Sequence, residues 1–251
     1  MATSNNENSE IRIGVSSCLL GQEVRFDGGH KRDRYVLETL AEHVTLVPVC
    51  PEVEVGMGTP RETVRLVGDS SAPRMVGGKS GEDWTDRMNR YSAKRSRELA
   101  AEDLCGYVFK KNSPSCGVFR VKVYNEKGHL SIPPGRGLFA AEYAKQYPLT
   151  PIEEEGRLHD PGLRENFLER VFAFRRLKDL FTGRWKRGAV IDFHSREKYL
   201  LMAHSPQRLK ELGQLTARIK DHKPAEFRDA YMAGFMGILE MKGTTRKHVN
   251  A

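Results

Sequence analysis

Cysteine is the residue type whose placement first suggests chemistry in this chain. Cys18 stands in SSCLLGQEVRFDGG (16–29), Cys50 in CPEVEVGMGTPRE (50–62) and Cys116 in KNSPSCG (111–117), whereas Cys105 belongs to no such motif. Thiolates are soft donors that suit zinc and iron–sulfur centres. The flanks of these cysteines carry further signals. Pro114 sets the turn before Cys116 and Gly117 allows close backbone approach after it. In extended backbone, side chains two apart share a side, so Glu52 is expected beside Cys50. Buried cysteines that serve only as small apolar residues are the alternative. A structural zinc takes four protein ligands, and His30 and His43 are the histidines nearest these segments. A four-iron cluster held by three cysteines would leave one iron with an open position, where a soft sulfur donor could bind. On spacing alone both centres stay open. A thiol–disulfide enzyme is disfavoured, since the chain contains no CxxC.

The elements that must position these residues can be read from periodicity. IRIGVSS (11–17), VTLVPV (44–49) and GYVFK (106–110) are short apolar runs that predict buried parallel strands. YVLETLAEHV (35–44) and TDRMNRYSAKRSRELAAEDL (85–104) predict helices between them. An α/β domain with a Rossmann-like, mostly parallel sheet is therefore expected over 11–147, completed by a hairpin at 120–131 with Gly128 in its turn and a helix at 138–147. Cys18, Cys50 and Cys116 each follow a strand, at the carboxyl edge where such sheets build sites. Cys105 precedes its strand, at the opposite edge, and reads as structural. PLTPIEEEGRLHDPG predicts a linker at 148–160. From Pro161 onward, apolar residues on one face and further helical patterns at about 189–203, 206–221 and 225–242 predict an all-α domain over 161–251.

Composition limits the functions available. The 251 residues contain no apolar run of membrane-spanning length, so no membrane partner is expected. Residues 1–10 read as a disordered tail without the features of a secretory or transit peptide, and four cysteines without a signal point to the reducing cytoplasm. The net charge of +8 is confined to one segment: residues 160–251 hold 19 Lys and Arg against 11 Asp and Glu, and residues 1–159 hold 22 against 22. Such asymmetry suggests a polyanionic partner, with a solvated helix surface as the alternative. The densest basic stretch contains Arg175, Arg176, Lys178, Arg184, Lys186 and Arg187; Trp185 beside them is the candidate for stacking on RNA, while Phe174 and Phe181 fall at core spacing. His194 and His204 are ten apart and do not share a helix face, so they are no metal pair. GRGLF (135–139) is too short to read as a dinucleotide fingerprint. Arg25, Asp27, Gly28 and Gly29 form a basic, glycine-rich loop suited to wall a pocket or meet a phosphate.

The three cysteine motifs together closely resemble the thiouracil desulfidase family. ENFLERVFAFRRL and FHSREKYLLMAHSP look like the helical domain fused to that enzyme in the tRNA 4-thiouridine desulfidases. The resemblance implies a [4Fe-4S] cluster on Cys18, Cys50 and Cys116, an iron that captures the sulfur of a thiolated uracil or uridine, and hydrolytic desulfuration without net redox. It further implies that Glu52 acts as general acid or base, that Ser113 relays a proton or holds the ring, and that Arg61 lies near the site. Without it, Glu52 reads as an exposed carboxylate and Ser113 as a turn cap. tRNA is the implied partner. The chain stops at TTRKHVNA soon after its last helical pattern, so a shortened form of the helical domain is expected. A nucleic-acid-binding protein with a structural metal site is the other function class. Oligomeric state is not legible.

Overall fold

The apolar runs form strands where each can be covered on both faces. In the computed structural model, which describes residues 10–125, 127–241 and 243, the first unit spans residues 1–160 and the second 161–251. Residues 1–9 and 244–251, which hold most of the expected tail and the final TTRKHVNA, lie outside the described residues. Glu10, the last residue of that tail, accepts a hydrogen bond from the Thr45 hydroxyl.

β1 (Arg12–Ser16), β2 (Thr45–Val49), β5 (Gly106–Phe109) and β7 (Ile152–Glu154) build a fully parallel sheet in the order β2-β1-β5-β7. Register pairs Arg12 with Thr45, Ile13 with Gly106 and Tyr107 with Ile152. Pro48 is tolerated in β2 because that strand is an edge, where a missing N–H leaves no ladder bond unmade. β3 (Val64–Val67), β4 (Arg74–Gly77) and β6 (Val123–Tyr124) form a second, smaller sheet in the order β4-β3-β6. α1 (Pro51–Glu54), α2 (Thr85–Glu98) and α3 (Leu138–Gln146) complete the unit.

Two expectations are corrected. The helix expected at 35–44 is a wide π-type turn at Tyr35–Thr39 followed by a 3₁₀ turn at Leu40–Glu42. The linker expected at 148–160 contains β7, whose Glu153 and Glu154 are buried together with the following Glu155. Three consecutive acids fit a strand here because donors meet each carboxylate: Arg157 meets Glu153, the amides of Val118 and Phe119 meet Glu154, and Lys110 meets Glu155. The hairpin at 120–131 forms around a turn in which the Gly128 amide donates to the Asn125 carbonyl, with Glu126 outside the described residues.

Aromatic side chains fill the space between the parallel sheet and its helices. Tyr107 stacks on Phe109 with ring centroids 3.9 Å apart and meets Tyr143 of α3 edge-on at 4.9 Å. The second unit is all-helical: α4 (Pro161–Leu180), α5 (Arg187–His204), α6 (Pro206–Ala217) and α7 (Pro224–Leu239). Its core joins Phe167, Val171, Phe174 and Leu177 of α4 to Phe193, Leu201, Phe227, Tyr231 and Phe235. Pro206 and Pro224 each occupy the first turn of a helix, and the Ser205 hydroxyl caps α6 by accepting from the Arg208 amide. No helix among the described residues is long and apolar enough to cross a membrane.

Tyr107 leaves no room for a side chain opposite it on β1. A Cβ built on Gly14 would lie 2.3 Å from the Tyr107 ring. Gly14→Ala is expected to destabilise the protein by about 1–3 kcal/mol through overpacking, read as a lower midpoint in urea with an unchanged slope.

Candidate active site

Each of the three cysteines leaves the sheet in a different way. Cys18 sits in the 3₁₀ turn Ser17–Leu20 directly after β1, closed by Gly21 at φ 85°. Cys50 follows β2 in extended backbone and precedes α1, whose first residue is Pro51. The expectation that Cys50 to Glu52 runs extended is therefore corrected: proline presets the helical φ, and the chain turns at once. Cys116 lies in the loop after β5, where the Ser113 hydroxyl oxygen accepts the amides of Ser115 (3.3 Å) and Cys116 (3.1 Å) and so holds the turn. Gly117 is required there, since a Cβ would meet Val121 at 2.4 Å and the Ser113 carbonyl at 2.9 Å. Gly137 of the GRGLF segment has a similar role. Its Cβ would fall 2.5 Å from the Ser115 carbonyl, so α3 can start directly against the cysteine loop.

These segments converge on one cavity. Cys18, Cys50 and Cys116 all line it, together with Glu52, Arg61 and Ser113. Burial pushes the Cys18 thiol up to about 11, and the neighbouring Cys50 adds to the rise. Burial also raises Cys50 and Cys116, and Cys116 is raised further by Glu52, Cys50 and Cys18. Cys105 is buried before β5 and lies outside the lining.

Glu52 is tethered through both of its carboxylate oxygens. Its Oε2 accepts from Arg61 Nη2 (2.5 Å) and Nε (3.2 Å), and its Oε1 accepts from the hydroxyls of Ser115 (2.6 Å) and Ser113 (3.3 Å). Glu52 is 14% exposed and Arg61 6%, so this two-pronged ion pair is shielded from water. Arg61 is held in turn by the carbonyls of Val24 and Gly58, each at 2.9 Å from Nη1. A neighbouring carboxylate, Glu54, accepts the Cys50 amide at 2.9 Å and is itself held by the Tyr91 hydroxyl (2.7 Å) and Arg95 (3.1 Å). Ser115, Glu54 and Lys110 escape a reading of motifs, although the second serine of SPSC was a visible signal for Ser115.

The remaining expected site residues divide. Arg25 lines the cavity and pairs with Asp27 at 3.3 Å, whereas Asp27 and Gly28 lie outside the lining and shape the turn, the Gly28 amide donating to the Arg25 carbonyl. In the second unit Arg175 pairs with Asp179, and Arg176 makes two 2.7 Å bonds to Glu197. Arg184, Lys186 and Arg187 are exposed. Trp185, the candidate for contact with RNA, is half-buried and packs edge-on against Phe181 at 5.3 Å and beside Phe227 at 5.9 Å. His194 bonds the Tyr231 hydroxyl at 3.2 Å, and His204 bonds Glu169 at 2.7 Å.

Three thiols line one cavity, and thiolates are the donors that an iron–sulfur cluster takes, each on its own iron. Among the described residues, no three His, Cys, Asp or Glu side chains group as ligands of one metal ion.

A family model described as 2-thiouracil desulfurase matches residues 13–155, the span that contains the whole cavity lining. The chain belongs to the 2-thiouracil desulfurase family. A second family model, described as a protein of unknown function (DUF1722), matches residues 198–251 of the helical unit. Over 110 residues the chain is 34% identical to the uncharacterized protein YbbK of Bacillus subtilis (strain 168), covering 42% of this chain and 72% of YbbK. Over 87 residues it is 30% identical to the uncharacterized protein YbgA of Escherichia coli (strain K12), covering 34% of this chain and 52% of YbgA. A solved structure titled [4Fe-4S]-dependent thiouracil desulfidase TudS is similar at 28% identity and a TM-score of 0.49, over 60% of this chain and 95% of that one.

In the desulfurase-family unit the raised thiols have a measurable consequence. A thiol held well above its ordinary value stays protonated at neutral pH, and only the thiolate is nucleophilic. Cys18 of the metal-free protein is therefore expected to react with iodoacetamide far more slowly than a free thiol at pH 8, with a rate that climbs until about pH 11. Mass-spectrometric mapping of labelled Cys18 across pH reads this; a plateau already reached at pH 9 would contradict it.

Proposed function

We propose that the chain is a [4Fe-4S]-dependent desulfidase that replaces the sulfur of a thiolated uracil by oxygen, acting on 4-thiouridine in tRNA or on its nucleotides. The reading is carried by Glu52, tethered between Arg61 and two serine hydroxyls in the same cavity as three thiols. Cys18, Cys50 and Cys116 would hold the cluster, which supplies an iron with an open position as a soft Lewis acid for the thiocarbonyl sulfur.

The chain's own residues handle position and protons. Arg61 pins one oxygen of Glu52, which leaves Oε1 and the Ser115 and Ser113 hydroxyls as the proton path. Glu52 is placed to take a proton from water as the water oxygen bonds the ring carbon, and to return it as the carbon–sulfur bond breaks. Water supplies the new carbonyl oxygen, its two protons leave with the sulfur as hydrogen sulfide, and no electron is gained or lost.

The tRNA part of the proposal is supported by the charge of the second unit and by the exposed Arg184 and Lys186 between α4 and α5 with Arg187 at the start of α5. No disulfide joins Cys18, Cys50 or Cys116, in keeping with the reducing, cytoplasmic setting of this proposal.

Anaerobic reconstitution with iron and sulfide is expected to give a brown protein that releases sulfide from thiolated substrates. Cys116→Ala should lose bound iron and turnover together, whereas Glu52→Ala should stay brown and lose about 10²–10⁴-fold in turnover. A colourless protein with stoichiometric zinc, or full turnover in Glu52→Ala, overturns the assignment. If the basic unit grips tRNA, desulfuration of thiolated tRNA should weaken steeply between about 50 and 200 mM salt while that of free thiouracil stays constant. An equal salt response for both substrates removes tRNA from the proposal.

A further inference from the structure

Two buried carboxylates of the first unit take no part in the proton path of Glu52, yet both reach the loop that carries Cys116. Glu154, at 5% exposure, uses Oε1 to accept the amides of Val118 (2.8 Å) and Phe119 (3.0 Å), the residues that follow Gly117. Glu155, at 6% exposure, accepts the Lys111 amide through Oε2 (2.7 Å) and the Lys110 ammonium through Oε1 (2.5 Å). The Lys110 amide in turn donates to the Ser16 hydroxyl (2.9 Å), two residues before Cys18. The strand end presses directly on the loop, since a Cβ at Gly156 would meet the Lys111 side chain at 2.7 Å.

A buried carboxylate is tolerated only while charged or N–H donors face it. Here those donors are the two ends of one loop, at Lys111 before Ser113 and at Val118 after Cys116. Displacing the loop would strip both acids of their partners, so the coupling works in both directions. Glu153 on the same strand is buried as well, but its carboxylate bonds Arg157 (2.7 Å) and the Glu154 amide (2.9 Å) and is linked to the loop through Arg157, whose guanidinium lies 4.4 Å from the centre of the Phe119 ring.

We infer that Glu154 and Glu155 are positioning residues that clamp both ends of the Cys116 loop and thereby set Ser113, Ser115 and Cys116 in the cavity. The link to catalysis rests on the desulfidase reading; the clamp itself does not.

The test compares Glu154→Ala, Glu155→Ala, Glu154→Gln and Glu155→Gln with Glu153→Ala as a matched loss of a buried acid. Hydrogen exchange of peptide 110–119 is measured in the metal-free proteins, and iron release to a chelator after reconstitution. Both alanine variants are expected to exchange that peptide and release iron about tenfold faster than Glu153→Ala, the effect of losing one charge-assisted hydrogen bond. Glu154→Gln should recover most of the protection, because its carbonyl oxygen still accepts two amides. Glu155→Gln should still release iron faster than wild type, because Lys110 loses its counter-charge, and this decides the matter if the alanine variants do not fold. Loop exchange and iron release equal to those of Glu153→Ala, or a wild-type rate in Glu155→Gln, overturn the clamp. Failure of wild-type protein to take up iron would instead strike the desulfidase reading, with the exchange data still deciding the clamp.

Discussion

Ionisable side chains crowd the carboxyl end of one small parallel sheet, and none of them can be left there without a partner. That requirement organises the first unit. Glu52 is compensated by Arg61 and two serine hydroxyls, Glu54 by the Cys50 amide, Tyr91 and Arg95, Glu154 by two consecutive amides, and Glu155 by Lys110 and the Lys111 amide. Every one of these pairings also fixes a piece of backbone next to a cysteine or next to the residues that face it. The cost of burying charge thus becomes a positional constraint on the thiols.

The thiols themselves complete the picture. Burial raises all three, and the negative charge of one would raise the others, so the metal-free cavity favours the neutral, protonated state. Metal binding by such a set must release protons, which ties occupancy to pH and to the rigidity of the loops that hold the ligands. Lys110 is the nearby cation that works against the rise at Cys18, and it is oriented by Glu155.

The second unit obeys a different logic. Its core is aromatic and aliphatic, and several of its charges are spent internally, as in the bidentate Arg176–Glu197 pair and the His204–Glu169 contact. A basic stretch that looks uniform in the sequence is therefore divided: Arg175 and Arg176 are engaged on α4, while Arg184, Lys186 and Arg187 face solvent between its end and the start of α5. Net charge is additive along a chain, but charge available to a partner depends on which side chains already have one.

The sequence by itself determined the parallel strands, the all-helical second unit and the gathering of Cys18, Cys50 and Cys116 at one sheet edge, because apolar period and strand-end position are local properties. It placed Glu52 near Cys50, although by an extended path that Pro51 turns into helix. What it could not disclose was β7, since IEEE has the composition of a solvated linker and the carboxylates of Glu154 and Glu155 become tolerable only through donors some forty positions earlier. Glu54 was hidden for the same reason. Its partners Tyr91 and Arg95 are close in space and remote in the chain, so only the tertiary structure could decide which acids are exposed and which hold the site together.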